Sequence, residues 1–239
     1  MIEGFRVLVV VPARGGSKGI PLKNLREVGG RSLVARTGDV IREVAEVDRA
    51  VVSTDHDGIA AAAECAGIAA PFRRPESISG DRIADWDVLS HALQATEVLD
   101  GVRYDVVVML QPTSPLRKPG HVSGAIRMLV EGGWDAVWTV SLTDSKNHPL
   151  KQFAVNDGAL DYWDPRGAQI IARQQLTPVY HRNGIAYAIT RDCLLEHRSI
   201  KGRRCGAYVV EGEHISIDTE WDLALAEILL SRGRSVETR

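Results

Sequence analysis

At 239 residues, 44% of them hydrophobic, the chain is long enough to bury one sizeable core and does not need a second full domain. Lys and Arg number 29 against 31 Asp and Glu, a near-neutral balance that argues against a nucleic-acid coat protein or a membrane-surface binder. Cys65, Cys193 and Cys205 are scattered and lack metal-ligand spacing, which suits a reducing cytoplasm and neither a disulfide framework nor a zinc site.

The start, MIEGFRVLVVV, has a short apolar run that stops at Pro12 with no small-residue cleavage site, so it reads as a strand and not a signal peptide. No stretch approaches the roughly 20 apolar residues of a membrane span. Val7 to Val11 is the first strand, and it runs into a loop carrying Arg14, Lys18, Lys23 and Arg26 with Gly15, Gly16 and Gly19 between them. That many cations in one short loop call for an anion. Paired glycines let backbone N–H groups turn toward a ligand in a nest, and the end of an apolar strand is where open α/β sheets bind ligands. Neither G-x-G-x-x-G nor G-x-x-x-x-G-K-[ST] occurs here, so a dinucleotide fold and a Walker-type ATPase are not indicated.

Ser32 caps an expected helix with Leu33, Val40, Ile41 and Val44 on one face. Ala50 to Ser53 is a second strand, Asp57 to Ala66 an alanine-rich helix ended by Gly67, and Ile68 to Phe72 a short third strand ending at Arg73, Arg74 and Pro75. This β-α-β-α rhythm predicts an α/β fold with parallel strands. Asp85 to Leu99 reads as a helix with Trp86, Leu89 and Leu93 inward. Val106 to Leu110 reads as a central strand delivering Gln111 to the ligand crevice. A helix after Pro119 and a strand from Asp135 to Leu142 follow.

From about 151 to 182 the rhythm breaks into a hairpin around Asn156-Asp157-Gly158 and an irregular polar arm. Its Tyr162, Trp163 and Tyr180 argue against disorder. Gly184 to Ile189 is a strand with Tyr187 at a candidate ligand-facing position. Asp192 to Arg198 is a short helix, and Ala207 to Val210 a late edge or antiparallel strand. Asp218 then precedes Thr219-Glu220-Trp221-Asp222, which has the form of a capping box and opens the last helix.

The run ARGGSKGIPLKNL resembles the signature loop of the acylneuraminate cytidylyltransferase (CMP-sialic acid synthetase) family. Further matches follow in order at VVSTD (51–55), RRPESISGD (73–81), LQPTSPLR (110–117), HPLK (148–151), RQQL (173–176), NGIAYAI (183–189) and IDTEWDL (217–223), covering nearly the whole chain. The resemblance implies a Rossmann-like three-layer nucleotidyltransferase fold with a mostly parallel sheet, one domain over residues 1–239 with 151–182 as a dimerisation arm. It implies transfer of CMP from CTP to the hydroxyl of an acidic 2-keto-3-deoxy sugar, sialic acid or a related nonulosonic acid, with Mg²⁺ as cofactor, in a cytoplasmic homodimer that uses neither nucleic acid nor membrane. Carried over residue by residue, Ala13 is nucleotide-binding, Arg14 and the backbone of Gly15, Gly16, Ser17 and Lys18 hold the outer phosphates, and Lys23 holds the α-phosphate. Asn24 and Arg74 hold the nucleoside, and Gln111 lies between nucleotide and sugar. Lys151 and Arg173 meet the acceptor carboxylate, Tyr187 faces the sugar, and Asp218 is either the metal ligand or part of the helix cap. Catalysis then falls to Arg14, Lys23, Gln111 and Asp218, by positioning and charge neutralisation.

The chain departs from its relatives at three places. Ala84 and Asp85 stand where many have small hydroxyl residues, Ser216 stands where a second aspartate is usual, and RSIKGRRCG replaces aromatic residues near position 200. A different acid acceptor, either a ketodeoxy-octonic acid or a phosphonate, stays open, as does a non-catalytic nucleotide-binding regulator.

Overall fold

A computed structural model describes the backbone of residues 1–237 and the side chains through residue 232. In chain order the strands are β1 (Val7–Pro12), β2 (Glu27–Val28), β3 (Arg31–Ser32), β4 (Arg49–Ser53), β5 (Val106–Met109), β6 (Ala136–Leu142), β7 (Phe153–Asn156), β8 (Ala159–Tyr162), β9 (Tyr180–Thr190) and β10 (Cys205–Val209). The α-helices are α1 (Leu33–Ile41), α2 (Asp57–Cys65), α3 (Asp85–Asp100), α4 (Pro119–Gly132), α5 (Arg191–Leu195) and α6 (Glu220–Glu237).

Six strands form one sheet in the order β10-β6-β9-β5-β1-β4. β1 is parallel to β4 and β5, β10 is parallel to β6, and β9 is antiparallel to both of its neighbours. Only β9 therefore runs against the rest. The valine-rich β1 is buried along both faces, as a central strand of a covered sheet must be. Val7, Val9 and Val11 pack with Ile41, Ile59 and Ile126 under α1, α2 and α4, while Leu8 and Val10 pack with Leu89, Leu93 and Leu194 under α3 and α5. A third, smaller cluster of Ile20, Val28, Leu33, Ile217 and Leu223 clamps the loop after β1 to the start of α6. That clamp brings chain segments almost two hundred residues apart to one edge of the sheet.

Two expectations change and one is met. The strand expected at Ile68–Phe72 is a single bridge from Ala69 to Val51, because Pro71 has no N–H to continue a ladder. The late strand β10 lies at the sheet edge, as expected, and pairs in parallel with β6. β9 begins at Tyr180 and is antiparallel, since the segment before it is a hairpin arm and not the crossover helix that a parallel neighbour requires. In that arm β7 and β8 meet around Asp157 and Gly158, both with positive φ (50° and 84°), as a two-residue primed turn demands.

Candidate active site

The loop after β1 is anchored before it reaches any ligand. Ala13 is buried and donates its N–H to the Ser53 carbonyl (2.9 Å), and the Gly15 N–H goes to Asp55 Oδ1 (2.7 Å). Neither Gly15 nor Gly16 has a positive φ, so the expected nest is not formed in this backbone. The glycines instead permit close approach. A Cβ on Gly15 would stand 3.0 Å from the His56 side chain, and one on Gly19 would stand 2.4 Å from the Asp218 carbonyl oxygen.

Beyond the loop a cavity of about 630 Å³ opens at the carboxyl end of β1, and Arg14, Ser17, Lys18, Lys23, Asn24, Arg74, Gln111 and Asp218 all line it. Three of its cations meet internal carboxylates. Arg14 Nη1 lies 2.7 Å from one oxygen of Asp81 and Lys18 Nζ 2.5 Å from the other. The Lys18 hydrogen bond first, and Arg14 after it, hold the Asp81 carboxyl below its ordinary pKa. Lys23 Nζ donates to Asp218 Oδ1 (2.8 Å) and to the Ile217 carbonyl (2.7 Å), joining positions 195 apart in sequence. The lysine side chain is 16% exposed and the aspartate 74%, so a half-sheltered cation presents an open carboxylate.

The helix cap beside it is made by other residues. Thr219 Oγ1 accepts from the Asp222 N–H (3.3 Å), while Asp222 Oδ2 accepts from the N–H groups of Asp218 (3.0 Å) and Thr219 (2.7 Å). The predicted capping box is thus present, and the Asp218 carboxylate is not part of it. Arg26, the fourth cation of the loop, forks onto Glu220 (2.6 and 2.9 Å) and does not line the cavity.

Another part of the wall is built to hold its donors still. Asn24 is buried and donates to the Arg14 carbonyl (3.0 Å). Arg74 is 5% exposed, with Nε on Ser53 Oγ (3.0 Å), Nη2 on the Ser53 carbonyl and its N–H on the Thr54 carbonyl (2.8 Å). Burial lowers its pKa to about 10, with Asp55 opposing, so it keeps its charge at neutral pH. Beneath Gln111 the buried Arg117 donates to the carbonyls of Gln111, Gly184 and Ile185, which fixes the turn presenting that amide. Gly184 has φ +70°, and a Cβ there would lie 2.5 Å from Gln111 Oε1.

The Cytidylyltransferase family model matches residues 8–232. The chain belongs to the cytidylyltransferase family. It is 30% identical to the CMP-N,N'-diacetyllegionaminic acid synthase of Legionella pneumophila, across 95% of this chain and 97% of that protein. To the N-acylneuraminate cytidylyltransferase of Streptococcus agalactiae it is 31% identical, across 91% of this chain and 52% of that protein, so it spans about half the length of that relative. A solved CMP:2-keto-3-deoxy-manno-octonic acid synthetase complexed with CTP superposes with a TM-score of 0.70 at 18% identity, covering 95% of this chain and 99% of that one. The fold is therefore the α/β nucleotidyltransferase fold of that synthetase.

In this cytidylyltransferase the remaining candidates lie away from the cavity. Arg173 is exposed in the arm, where it lines a separate cavity of about 470 Å³ with Lys146 and His148, and Lys151 is exposed nearby. Tyr187 is 2% exposed. It packs on Trp138 with ring centres 5.0 Å apart and accepts the Gly184 N–H on its hydroxyl (2.9 Å). Its register opposite Met109 turns it into the layer under α3, so the expected sugar-facing position is corrected to a core one. Sequence reasoning looked for cations and overlooked the acids that arrange them, Asp55 and Asp81. Asp55 sits inside the quoted VVSTD motif and Asp81 ends RRPESISGD, but neither position says which N–H or cation it will meet.

Proposed function

We propose that this cytidylyltransferase transfers CMP from CTP to the hydroxyl of an acidic 2-keto-3-deoxy sugar of the nonulosonic class, releasing pyrophosphate. The observation that carries the reading is one cavity in which Arg14 and Lys18 already grip an anion, the Asp81 carboxylate, while Lys23 and Asp218 stand together beside them. An anion site of this kind suits the outer phosphates of CTP, which would displace Asp81. The acceptor hydroxyl then forms its bond to the α-phosphorus as the bond to the pyrophosphate oxygen breaks. Charge in such a transfer is spread over phosphoryl oxygens, so catalysis rests on positioning and neutralisation without a covalent nucleophile. In this reading Arg14 and Lys18 take charge developing on the leaving pyrophosphate and Lys23 the α-phosphate. Asn24 and Arg74 hold the nucleoside, and Gln111 orients the acceptor.

Among the described residues no group of three His, Cys, Asp or Glu is placed to hold a metal. The residues present nevertheless fit a Mg²⁺ that arrives with the nucleotide, because the Asp218 carboxylate is open, outside the cap and, among the described residues, bonded only through Oδ1, and Mg²⁺ on nucleotides needs few protein carboxylates. Bound there, Mg²⁺ would supply charge neutralisation between phosphate and acceptor oxygens.

Residues 1–239 are read as one domain, with 151–182 as a dimerisation arm in a cytoplasmic homodimer. Trp163 and Ile171, 72% and 93% exposed, support burial against a second copy, and Lys151 and Arg173 would then meet the acceptor carboxylate. No described helix is long and apolar enough to cross a membrane. The reading is tested by incubating the enzyme with CTP, Mg²⁺ and single 2-keto-3-deoxy acids, with mass spectrometry of the products. A CMP ester of a nine-carbon sugar acid is expected. Failure to form one with any such acid, or its formation only with a phosphonate, overturns the acceptor assignment.

A further inference from the structure

Between the pairs Trp138–Tyr187 and Val140–Arg182, β6 has the single residue Thr139 where β9 has the four residues Asn183 to Ala186. Four residues cannot pair with one, so this β-bulge leaves backbone N–H and C=O groups without a ladder on that side. Side chains meet them. Ser114 Oγ donates to the Asn183 carbonyl (3.1 Å), Arg117 donates to the carbonyls of Gly184 and Ile185, and the Tyr187 hydroxyl accepts the Gly184 N–H (2.9 Å). Asn183 Oδ1 accepts the Ile185 N–H (3.1 Å), and Thr139 Oγ1 accepts the Ala186 N–H (2.9 Å). The one hydrogen of the Thr139 hydroxyl has two acceptors in reach, Asn183 Oδ1 (2.7 Å) and the Ala186 carbonyl (2.9 Å). Thr139 therefore ties the first residue of the bulge to the last. It is 0% exposed and does not line the cavity, so it reaches the chemistry only through the bulge.

What the bulge presents is Gly184. With φ at +70° and a Cβ position 2.5 Å from Gln111 Oε1, its bare backbone is the surface on which the Gln111 side chain lies. Arg117 holds the Gln111 carbonyl from beneath, which fixes the backbone there but not the amide. Among the described residues none hydrogen-bonds that amide, so packing sets its direction and Gly184 is its near contact. The nucleotide side of the cavity hangs from other elements, since Asn24 is held by the Arg14 carbonyl and Arg74 by Ser53 and Thr54. A shift of the bulge would thus move Gln111 and leave those residues in place.

We propose that Thr139 is a positioning residue for the acceptor step: by tying the two ends of the Asn183–Ala186 bulge it holds Gly184, and through Gly184 the Gln111 amide, in register with the attacking hydroxyl. The inference rests on the reading of Gln111 as the group that orients the acceptor. Its test is a double-variant cycle of Thr139→Val, which keeps the shape and removes the hydroxyl, with Gln111→Ala, and Thr139→Ser as the conservative variant. Kinetics are measured with CTP and Mg²⁺ against N-acetylneuraminic acid and N,N'-diacetyllegionaminic acid, and CTP binding is measured by calorimetry.

Thr139→Val is expected to lose about tenfold in kcat/KM for the acid, as a small misplacement of an orienting group does, with CTP affinity within about twofold of the wild type. Thr139→Ser, which restores the hydroxyl, should recover to within about threefold of the wild type. In the Gln111→Ala background Thr139→Val should cost less than about twofold more, because the two act as one unit. If Thr139→Val does not fold, Tyr187→Phe takes its place in the cycle with the same expectation, since it keeps the ring against Trp138 and removes only the partner of the Gly184 N–H. Equal losses in both backgrounds, or CTP affinity falling as far as kcat/KM, would make the bulge merely structural and overturn the inference alone. Gln111→Ala with an unchanged kcat/KM for the acid would overturn the reading of Gln111 and this inference with it. Absence of turnover with either acid in the wild type would remove the acceptor reading itself.

Discussion

The nucleotide cavity and the 151–182 arm are both rich in charge, but they are organised over very different distances. In the cavity, Lys23 reaches Asp218 across 195 positions, and outside it, from the same loop, Arg26 reaches Glu220 across 194. In the arm, Asp164 pairs with Arg166 two residues on, and Gln175 caps Ile171 and Ala172. The cavity is therefore a product of the finished sheet, with its cations held by the core behind them. The arm has no such core. Val155, Leu160, Trp163 and Ile171 are 64% to 93% exposed, far more than a stable apolar hairpin leaves to water on its own. A site of the first kind is preorganised in one chain, whereas one of the second kind needs something to pack against.

That contrast is sharpened most by Asp218→Asn. The substitution keeps the shape and leaves the Thr219–Asp222 cap intact, so the thermal midpoint should stay near that of the wild type. The turnover rate at saturating Mg²⁺ should drop at least about a hundredfold, roughly 2.7 kcal/mol of transition-state stabilisation. Retention of most activity would reduce Asp218 to a partner of Lys23. Lys23→Ala comes next, with kcat lower by tens of fold and the KM for CTP raised only a few fold, since a cation at the α-phosphate acts more in the transition state than in the ground state. The two side chains touch, so the double variant should lose less than the sum of the single losses. A pure KM effect of Lys23→Ala would assign it to binding alone.

On the arm, Trp163→Asp with Ile171→Asp should turn a dimer into a monomer by light scattering and lower kcat/KM for the acceptor about tenfold. CTP binding by calorimetry should be unchanged. A wild type that is monomeric and fully active at micromolar concentration breaks the comparison on this side. The smallest effect is expected of Asp81→Asn. Removing the internal anion should lower the KM for CTP a few fold with little change in kcat. Asp81 is held below its ordinary pKa by Lys18 and Arg14 and so stays ionised. Its competition with the triphosphate is present above that pKa and lost only as pH falls through it, so the advantage of the variant should be constant between about pH 5 and 8. A weaker affinity for CTP would show that Asp81 assists binding.

What could be read from the sequence was what local chemistry decides. The buried valines of β1, the Ser32 cap that accepts the Ala35 N–H at 3.3 Å, and the Thr219–Asp222 box all form from residues within a few positions of one another. Gln111 followed from the length of an apolar run. Tyr187 did not, because alternation along β9 leaves two faces open, and the choice between them depends on a register that shifts between Trp138 and Val140 on β6. The glycines were legible as a site for close approach to something. That the close neighbours are His56 and the Asp218 carbonyl, with the Gly15 N–H held by Asp55, is a fact of tertiary packing.

The central claim is that this cavity activates CTP for attack by a sugar acid. It is tested most directly by pyrophosphate release from each of the four nucleoside triphosphates, measured with Mg²⁺ against a panel of 2-keto-3-deoxy acids and phosphonates. The account predicts release from CTP far above the other three, and only when an acidic 2-keto-3-deoxy sugar is present. Equal release from UTP or ATP with the best acceptor, or none from CTP with any acceptor, would contradict it.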